Sequence, residues 1–331
     1  MPKHAIRKSK MRMFVTRLVL LNQSLRMPKF AVIDCGTNTF HLLIAEPNEG
    51  GGFTTIYRER RFVKLAEDGI QRIGDKAYQR AFNTLEAYAQ KINEHQVVAT
   101  RVSGTAALRT AENGPQFVAE VKDKIGLEIA IIPGKEEAQL IYEGVRQAIG
   151  PQEEPWMVMD IGGGSVEFIL VDQTGVRWFE SFPVGVAVLY KKLHQTEPIS
   201  AVEIEQTQLF LKSKLVDLEL ALIRFPTNHL VGAAGTFDVV ANILGKAKPT
   251  PHCDEVALDG FEQLYQRIIT ANREERYAMT EIPDDRADMI VVAMILIQLV
   301  LEIAKVQKLT VSSFAMKEGM LARMLAEQTE I

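Results

Sequence analysis

Two stretches decide how this chain folds: "AVIDCGTNTFHLLIA", Ala31 to Ala45, and "MVMDIGGGSVEFILV", Met157 to Val171. Set side by side without a gap, both run apolar residues, Asp, one residue, Gly, two residues, a hydroxyl, and a second apolar run. The aspartates, Asp34 and Asp160, stand 126 positions apart. In each copy a short β-prone run meets a polar turn and returns, the pattern of a strand, a tight loop and an antiparallel strand. Glycine in such a turn lets the backbone bend sharply and lets a ligand approach the main chain. Successive N–H groups there form an anion-binding nest. Gly36, Thr37, Asn38 and Thr39 build the first nest, and Gly162, Gly163, Gly164 and Ser165 the second. An Asp beside bound phosphate is repulsive unless a divalent cation, Mg²⁺ or another, lies between them. Asp34 and Asp160 would then stand beside that cation. A single copy reads better as an ordinary glycine-rich hairpin; two copies facing each other across a cleft favour phosphate.

Other phosphate motifs are absent. "GIQRIGDK", Gly69 to Lys76, has one residue too many before the Lys and no hydroxyl after it, so it is not a P-loop. After Gly162 and Gly164 the third glycine of a dinucleotide fingerprint is Glu167, and a strand follows where a helix is needed.

Outward from the hairpins the pattern continues as α/β, twice. Phe53 to Leu65 predicts a third strand, Ala77 to Ile92 a helix, Val97 to Val102 and Leu127 to Ile132 strands, and "PGKEEAQLIYEGV" a helix that starts after Pro133-Gly134. Past "GPQEEP" at 150–155 the order begins again: three strands, a long helix over Glu203 to Ile223, a strand at His229 to Val231 ending in "GAAGT", an apolar helix over Ala287 to Ala304, a strand at Leu309 to Val311 and a last helix from Met316. Strand hairpins followed by helix–strand alternation, twice over, predict two similar α/β domains, 27–140 and 141–331, around a cleft. The junction near Leu140 implies hinge closure.

The chain has 331 residues and two cysteines, Cys35 and Cys253, which offer no disulfide framework and point to a reducing cytoplasm. No CxxC pair or HExxH helix supports a zinc site. Residues 1–26 carry seven Lys and Arg and no acid, leaving 31 bases against 42 acids in the rest. So acidic a body excludes a general nucleic-acid surface. The basic leader reads as a disordered or mis-assigned start: Arg17 interrupts its apolar run, and Met27 stands just before the first strand. No stretch reaches the roughly 18 apolar residues of a membrane span. The long amphipathic helices of the second half are compatible with a homodimer. Cys35, inside the first turn, reads as a buried small hydrophobe and His41 as packing.

The motif set resembles the actin / sugar kinase / Hsp70-type fold of two ribonuclease H-like domains. Within it, the match is to the exopolyphosphatase and guanosine pentaphosphate phosphohydrolase (Ppx/GppA) family, in its short two-domain form. The carrying motifs, in family order from Ala31 to Leu321, are "AVIDCGTNTFHLLIA", "SGTAALRTAEN", "IIPGKEEAQLIYEGV", "MDIGGGSVEFIL", "VGAAGT", "PDDRAD" and "MKEGML". The resemblance implies hydrolysis of a terminal phosphoanhydride of polyphosphate or guanosine pentaphosphate. It makes Glu137 the catalytic base, Glu167 a second acid, and Arg109, Gly235, Thr236 and Arg286 phosphate contacts. It also implies that the last helix, 316–331, packs back on the first domain. Read without it, Glu136 and Glu137 are charge decoration at a helix start, which favours anions and keeps Glu137 ionised. By pattern alone Arg109 either forks onto a phosphate or is a surface helix arginine, and Arg286 pairs with Asp284 or Asp285. Departures from the family pattern are Val166, Ala234, Ala293 and Lys317, where Arg is usual. They put the substrate in question more than the reaction. A small-molecule kinase of the same fold and a non-catalytic polyphosphate or nucleotide sensor are the alternatives.

Overall fold

The computed structural model describes residues 27–233 and 235–329. The expected basic leader, 1–26, lies outside them, as do Ala234 of the "GAAGT" run and 330–331.

Strand β1 (Phe30–Cys35) turns and returns antiparallel as β2 (Thr39–Pro47), which pairs in turn with β3 (Phe53–Phe62). Parallel strands β4 (Ala99–Gly104) and β5 (Ile129–Ile131) complete a sheet in the order β3-β2-β1-β4-β5. The second sheet repeats that order with β6 (Trp156–Ile161), β7 (Val166–Asp172), β8 (Gly175–Phe182), β9 (His229–Ala233) and β12 (Lys308–Ser312), as β8-β7-β6-β9-β12. This is the pair of ribonuclease H-like units of the actin-type fold. Both cysteines are free and buried.

One hairpin extends the second sheet beyond the repeat: β10 (Gly245–Thr250) and β11 (Cys253–Val256), antiparallel to β12. Its edge strand reads "GKAKPT", with no large apolar residue and a proline, and it is exposed almost throughout, so hydrophobic periodicity gives no sign of it. Lysine and proline suit an exposed edge that must not recruit another strand.

Helices cover both faces of both sheets, which is why β1 and β6 are apolar without alternation. On one side of the first sheet lie α1 (Asp75–Glu94), α2 (Ala106–Thr110) and α3 (Gly114–Ile125). On the far side of the second lie α5 (Val186–Leu193), α6 (Ala201–Lys214), α7 (Val216–Arg224), α8 (Thr236–Leu244), α9 (Phe261–Thr270), α10 (Arg273–Ala278) and α11 (Ile290–Ile303). The single helix expected over Glu203 to Ile223 is two. Leu215 is fully buried and breaks the run between α6 and α7, and a Ser200–Glu203 capping box starts α6. The apolar α11 is a core helix, and among the described residues no helix is long and apolar enough to cross a membrane.

Between the sheets run two further helices, α4 (Gly134–Ile149) and α12 (Met316–Thr329). Phe30, Val32, Leu43 and Ala45 of the first sheet and Trp156, Val158, Ile169 and Val171 of the second pack against this central pair. Burying each of the Val, Leu, Ile and Phe side chains among them contributes roughly 1.5–3 kcal/mol. The strand period of two then decides where the chemistry points. Asp34 follows Phe30 and Val32 on the central face, and Asp160 follows Trp156 and Val158. Both aspartates therefore leave their strand ends facing the helices that divide the sheets.

Candidate active site

The two turns close alike. Gly36 N–H donates to Thr39 O at 3.1 Å, and Gly162 N–H to Ser165 O at 3.0 Å. Glycine is needed at both, since an added Cβ would lie 2.8 Å from Thr39 O in one and 2.9 Å from Ser165 O in the other. The turn carbonyls are occupied elsewhere. Thr37 O accepts from Leu65 N–H, and Asn38 O from Val63 and Lys64 N–H. Gly162, Gly163 and Gly164 carbonyls accept from Val186, Ala187 and Gly185 N–H at the start of α5. Anchoring the oxygens outward turns the amides inward. The N–H groups of Thr37, Asn38, Gly163, Gly164 and Ser165 meet no protein acceptor among the described residues. Free amides grouped in this way are what an anion-binding nest requires.

The turns also touch each other. A Cβ on Gly163 would stand 2.7 Å from the Asn38 amide, and one on Gly164 2.8 Å from Thr37 Oγ1. The glycines of the second turn thus admit the side chains of the first. Thr37 Oγ1 is buried there with no partner, and Asn38 Nδ2 reaches Met289 Sδ at 3.3 Å.

A cavity of about 670 Å³ opens beside the interlocked turns. Into it face Asp34, Asp160, Glu137 and Glu167, together with Gly235 and Thr236 at the start of α8. Glu137 and its neighbour part company on α4. Glu137 points inward and is 9% exposed, whereas Glu136 is 45% exposed and lies 3.6 Å from Arg323. Arg109 Nη1 donates to Ile132 O at 2.7 Å and to Glu137 Oε2 at 3.2 Å, so it holds the glutamate and does not itself line the cavity. Glu167 is buried and accepts from Ser181 Oγ at 2.7 Å. A Cβ on Gly134 would meet Ser181 Cβ at 2.8 Å, so the start of α4 abuts the residue that fixes Glu167.

Burial dominates the electrostatics. It pushes Asp34 up to about 7, with Glu318 and Glu167 adding and Lys317 opposing. Burial, then Glu167 and Asp34, holds Asp160 well above the usual carboxylate range. Glu137 is raised by burial and Glu167 against the pull of Arg109, so the expected ionising effect of its helix start is overcome. Carboxyls that raise one another in this way favour a cation among them. No three acidic, histidine or cysteine side chains among the described residues form a metal cage. An all-oxygen set of one or two carboxylates suits an ion that keeps waters and binds substrate phosphate, as Mg²⁺ does.

Three placements were not foreseen. His41 lines the cavity, and it sits opposite Asp34 in the ladder as Glu167 sits opposite Asp160. The signal was in the aligned repeat, where both are the seventh residue after the aspartate. Arg286 pairs with Asp238 at 3.9 Å, not with its sequence neighbours, because Asp285 turns to Arg60 at 3.1 Å. Lys317, noted only as a departure from the family pattern, is buried in the cavity wall. Cys35 is buried, and its thiol is raised far above its ordinary range by burial and then Asp34, which leaves it inert.

The sequence profile of the Ppx/GppA phosphatase family matches residues 43–328. Among curated proteins, the guanosine-5'-triphosphate,3'-diphosphate pyrophosphatase of Photobacterium profundum is 26% identical over 303 residues, covering 91% of this chain and 60% of its own length. The chain thus spans about three fifths of that relative. Among solved structures, an exopolyphosphatase from Cytophaga hutchinsonii is 34% identical with a TM-score of 0.86, over 90% of this chain and 98% of its own. A family member from Aquifex aeolicus shares the fold at 24% identity and a TM-score of 0.76, over 92% of this chain and 99% of its own.

Proposed function

Because the chain belongs to the Ppx/GppA phosphatase family, we propose that it hydrolyses the terminal phosphoanhydride of inorganic polyphosphate or of guanosine pentaphosphate. One observation carries this reading: a buried carboxyl, Glu137, enters from α4 a cavity lined by two Asp–Gly turns, five of whose amides meet no protein acceptor among the described residues.

Terminal phosphate seats with its non-bridging oxygens on the amides of Thr37, Asn38, Gly163, Gly164 and Ser165. Thr236, at the start of α8, and Arg286 take neighbouring oxygens. Glu137 accepts a proton from water as the water oxygen bonds to the terminal phosphorus. The bridging P–O bond breaks, its electron pair leaves on the shortened chain, and orthophosphate is released. Arg109 and the Ile132 carbonyl fix the base, so that little reorganisation accompanies the step. Glu167, fixed by Ser181, orients the same water from the other side. Asp34 and Asp160 are the residues to hold a divalent cation, which when bound neutralises phosphate charge.

The test is phosphate release with and without Mg²⁺, in parallel on long polyphosphate, guanosine pentaphosphate and ATP. Release that needs only water and metal is expected from one of the first two. Release that needs an organic acceptor indicates a kinase, and binding without release a sensor; either outcome overturns the reading.

A further inference from the structure

Lys317 is the second residue of α12, inside the first turn of that helix. A cation there opposes the helix dipole, and a buried lysine is rare without a partner. The first of these rules is broken at Lys317, the pattern of a site that serves something other than the helix. Its side chain is 10% exposed and lines the cavity. The Glu318 carboxylate, 3.1 Å away, is the one anion in ion-pair range of it among the described residues. Glu318 is itself fully buried and caps Ala315 N–H at 2.8 Å. An ammonium has three donors, so donors remain for a ligand.

Its position is imposed by the backbone. At the crossing of α4 and α12, Gly319 lies directly on Leu140 O and Gly144 on Ala315 O, where neither site admits a Cβ. The helix carrying Glu137 and the helix carrying Lys317 are therefore held in contact. Lys317 acts on Asp34, Asp160 and Asp238 together, pulling each carboxyl down.

We propose that Lys317 is a phosphate-contacting residue: its ammonium, brought between the two Asp–Gly turns by the glycine crossing, binds a non-bridging oxygen of the terminal phosphate. This rests on the hydrolase reading for its substrate, but the contact is testable without turnover.

The experiment is calorimetric titration of the magnesium-loaded full chain with inorganic phosphate, for wild type, Lys317→Met and Lys317→Arg. Methionine is expected to weaken phosphate at least tenfold, and arginine to keep it within about threefold, since it restores the charge. Magnesium affinity, titrated separately, should not fall in Lys317→Met, because a cation has been removed from beside the carboxylates. Unchanged phosphate affinity in Lys317→Met overturns the proposal. So does equal loss in both variants, or loss of magnesium along with phosphate, either of which marks a structural lysine. If Lys317→Met does not fold, Lys317→Gln is read by the same criteria. A chain that binds phosphate through Lys317 yet releases none from any phosphoanhydride keeps this proposal and overturns the hydrolase reading.

Discussion

Across the first sheet one row reads Ser103, Asp34, His41, Arg60; across the second the matching row reads Ala233, Asp160, Glu167, Ser181. The backbones agree down to the Gly36 and Gly162 turn bonds. The side chains beside the aspartates do not: one row continues into an imidazole and a guanidinium, the other into a carboxylate and a hydroxyl. The repeat has thus kept the device that bends the chain and divided the chemistry. Along these rows Arg60 reaches the cavity from the first half beside His41, and Glu167 from the second half beside Glu137. A symmetric pair of turns thus carries an asymmetric set of side chains.

The largest test removes the group that belongs to neither hairpin. Glu137→Gln should lower kcat about a thousandfold, at the scale of a lost general base, with substrate still bound by calorimetry. Undiminished hydrolysis would sink the assignment. Next comes the pair that breaks the symmetry. Glu167→Gln should cost kcat roughly a hundredfold, while His41→Asn should raise KM about tenfold with kcat largely kept. Identical kinetic signatures would mean the rows are equivalent after all.

Gly163→Ala probes the contact between the turns, where the new Cβ would press on the Asn38 amide at 2.7 Å. Overpacking of this kind costs about 1–3 kcal/mol, read as a lower denaturation midpoint. Asn38→Ala in the same chain should return part of that loss, as a double-mutant cycle would show. Ser181→Ala removes the 2.7 Å bond to Glu167 and should cost about 1 kcal/mol, visible as a several-fold fall in kcat with the fold intact.

The smallest effect lies in pH. Burial, with Lys317, Arg60 and Arg286, holds His41 well below its ordinary 6.5. The unfolded chain then binds the proton first, so His41 makes the protein less stable as pH falls below that value. Burial raises Glu167 above its ordinary 4.5. There the folded chain keeps the proton longer, so Glu167 lowers stability as pH rises past that value. In chelator, His41→Asn should flatten the acid side of the melting-temperature profile and Glu167→Gln the rising-pH side. A profile unchanged in both would show that neither group changes its pKa between the folded and the unfolded chain, which overturns both shifts.

Legibility in the sequence followed locality. The hairpins, their glycines and the run toward Glu137 could be read directly, because a strand alternates every two residues and a tight turn needs glycine. The β10–β11 hairpin could not, since an exposed edge strand needs no apolar face. Nor could the split at Leu215, where the core overrides a continuous helical pattern. The partner of Arg286 was misjudged because nearness in sequence stood in for nearness in space; Asp238 arrives from the start of α8.

By itself, then, the sequence determined the doubled α/β plan and the two Asp–Gly turns. Both follow from patterns that repeat within short stretches of chain. Only the tertiary structure decided that Thr37 and Asn38 seat against Gly163 and Gly164, and that Arg109 holds Glu137. It alone brought Lys317 from near the end of the chain into the cavity wall. Those contacts depend on how two sheets and two glycine-crossed helices pack, and packing joins residues that no local pattern connects.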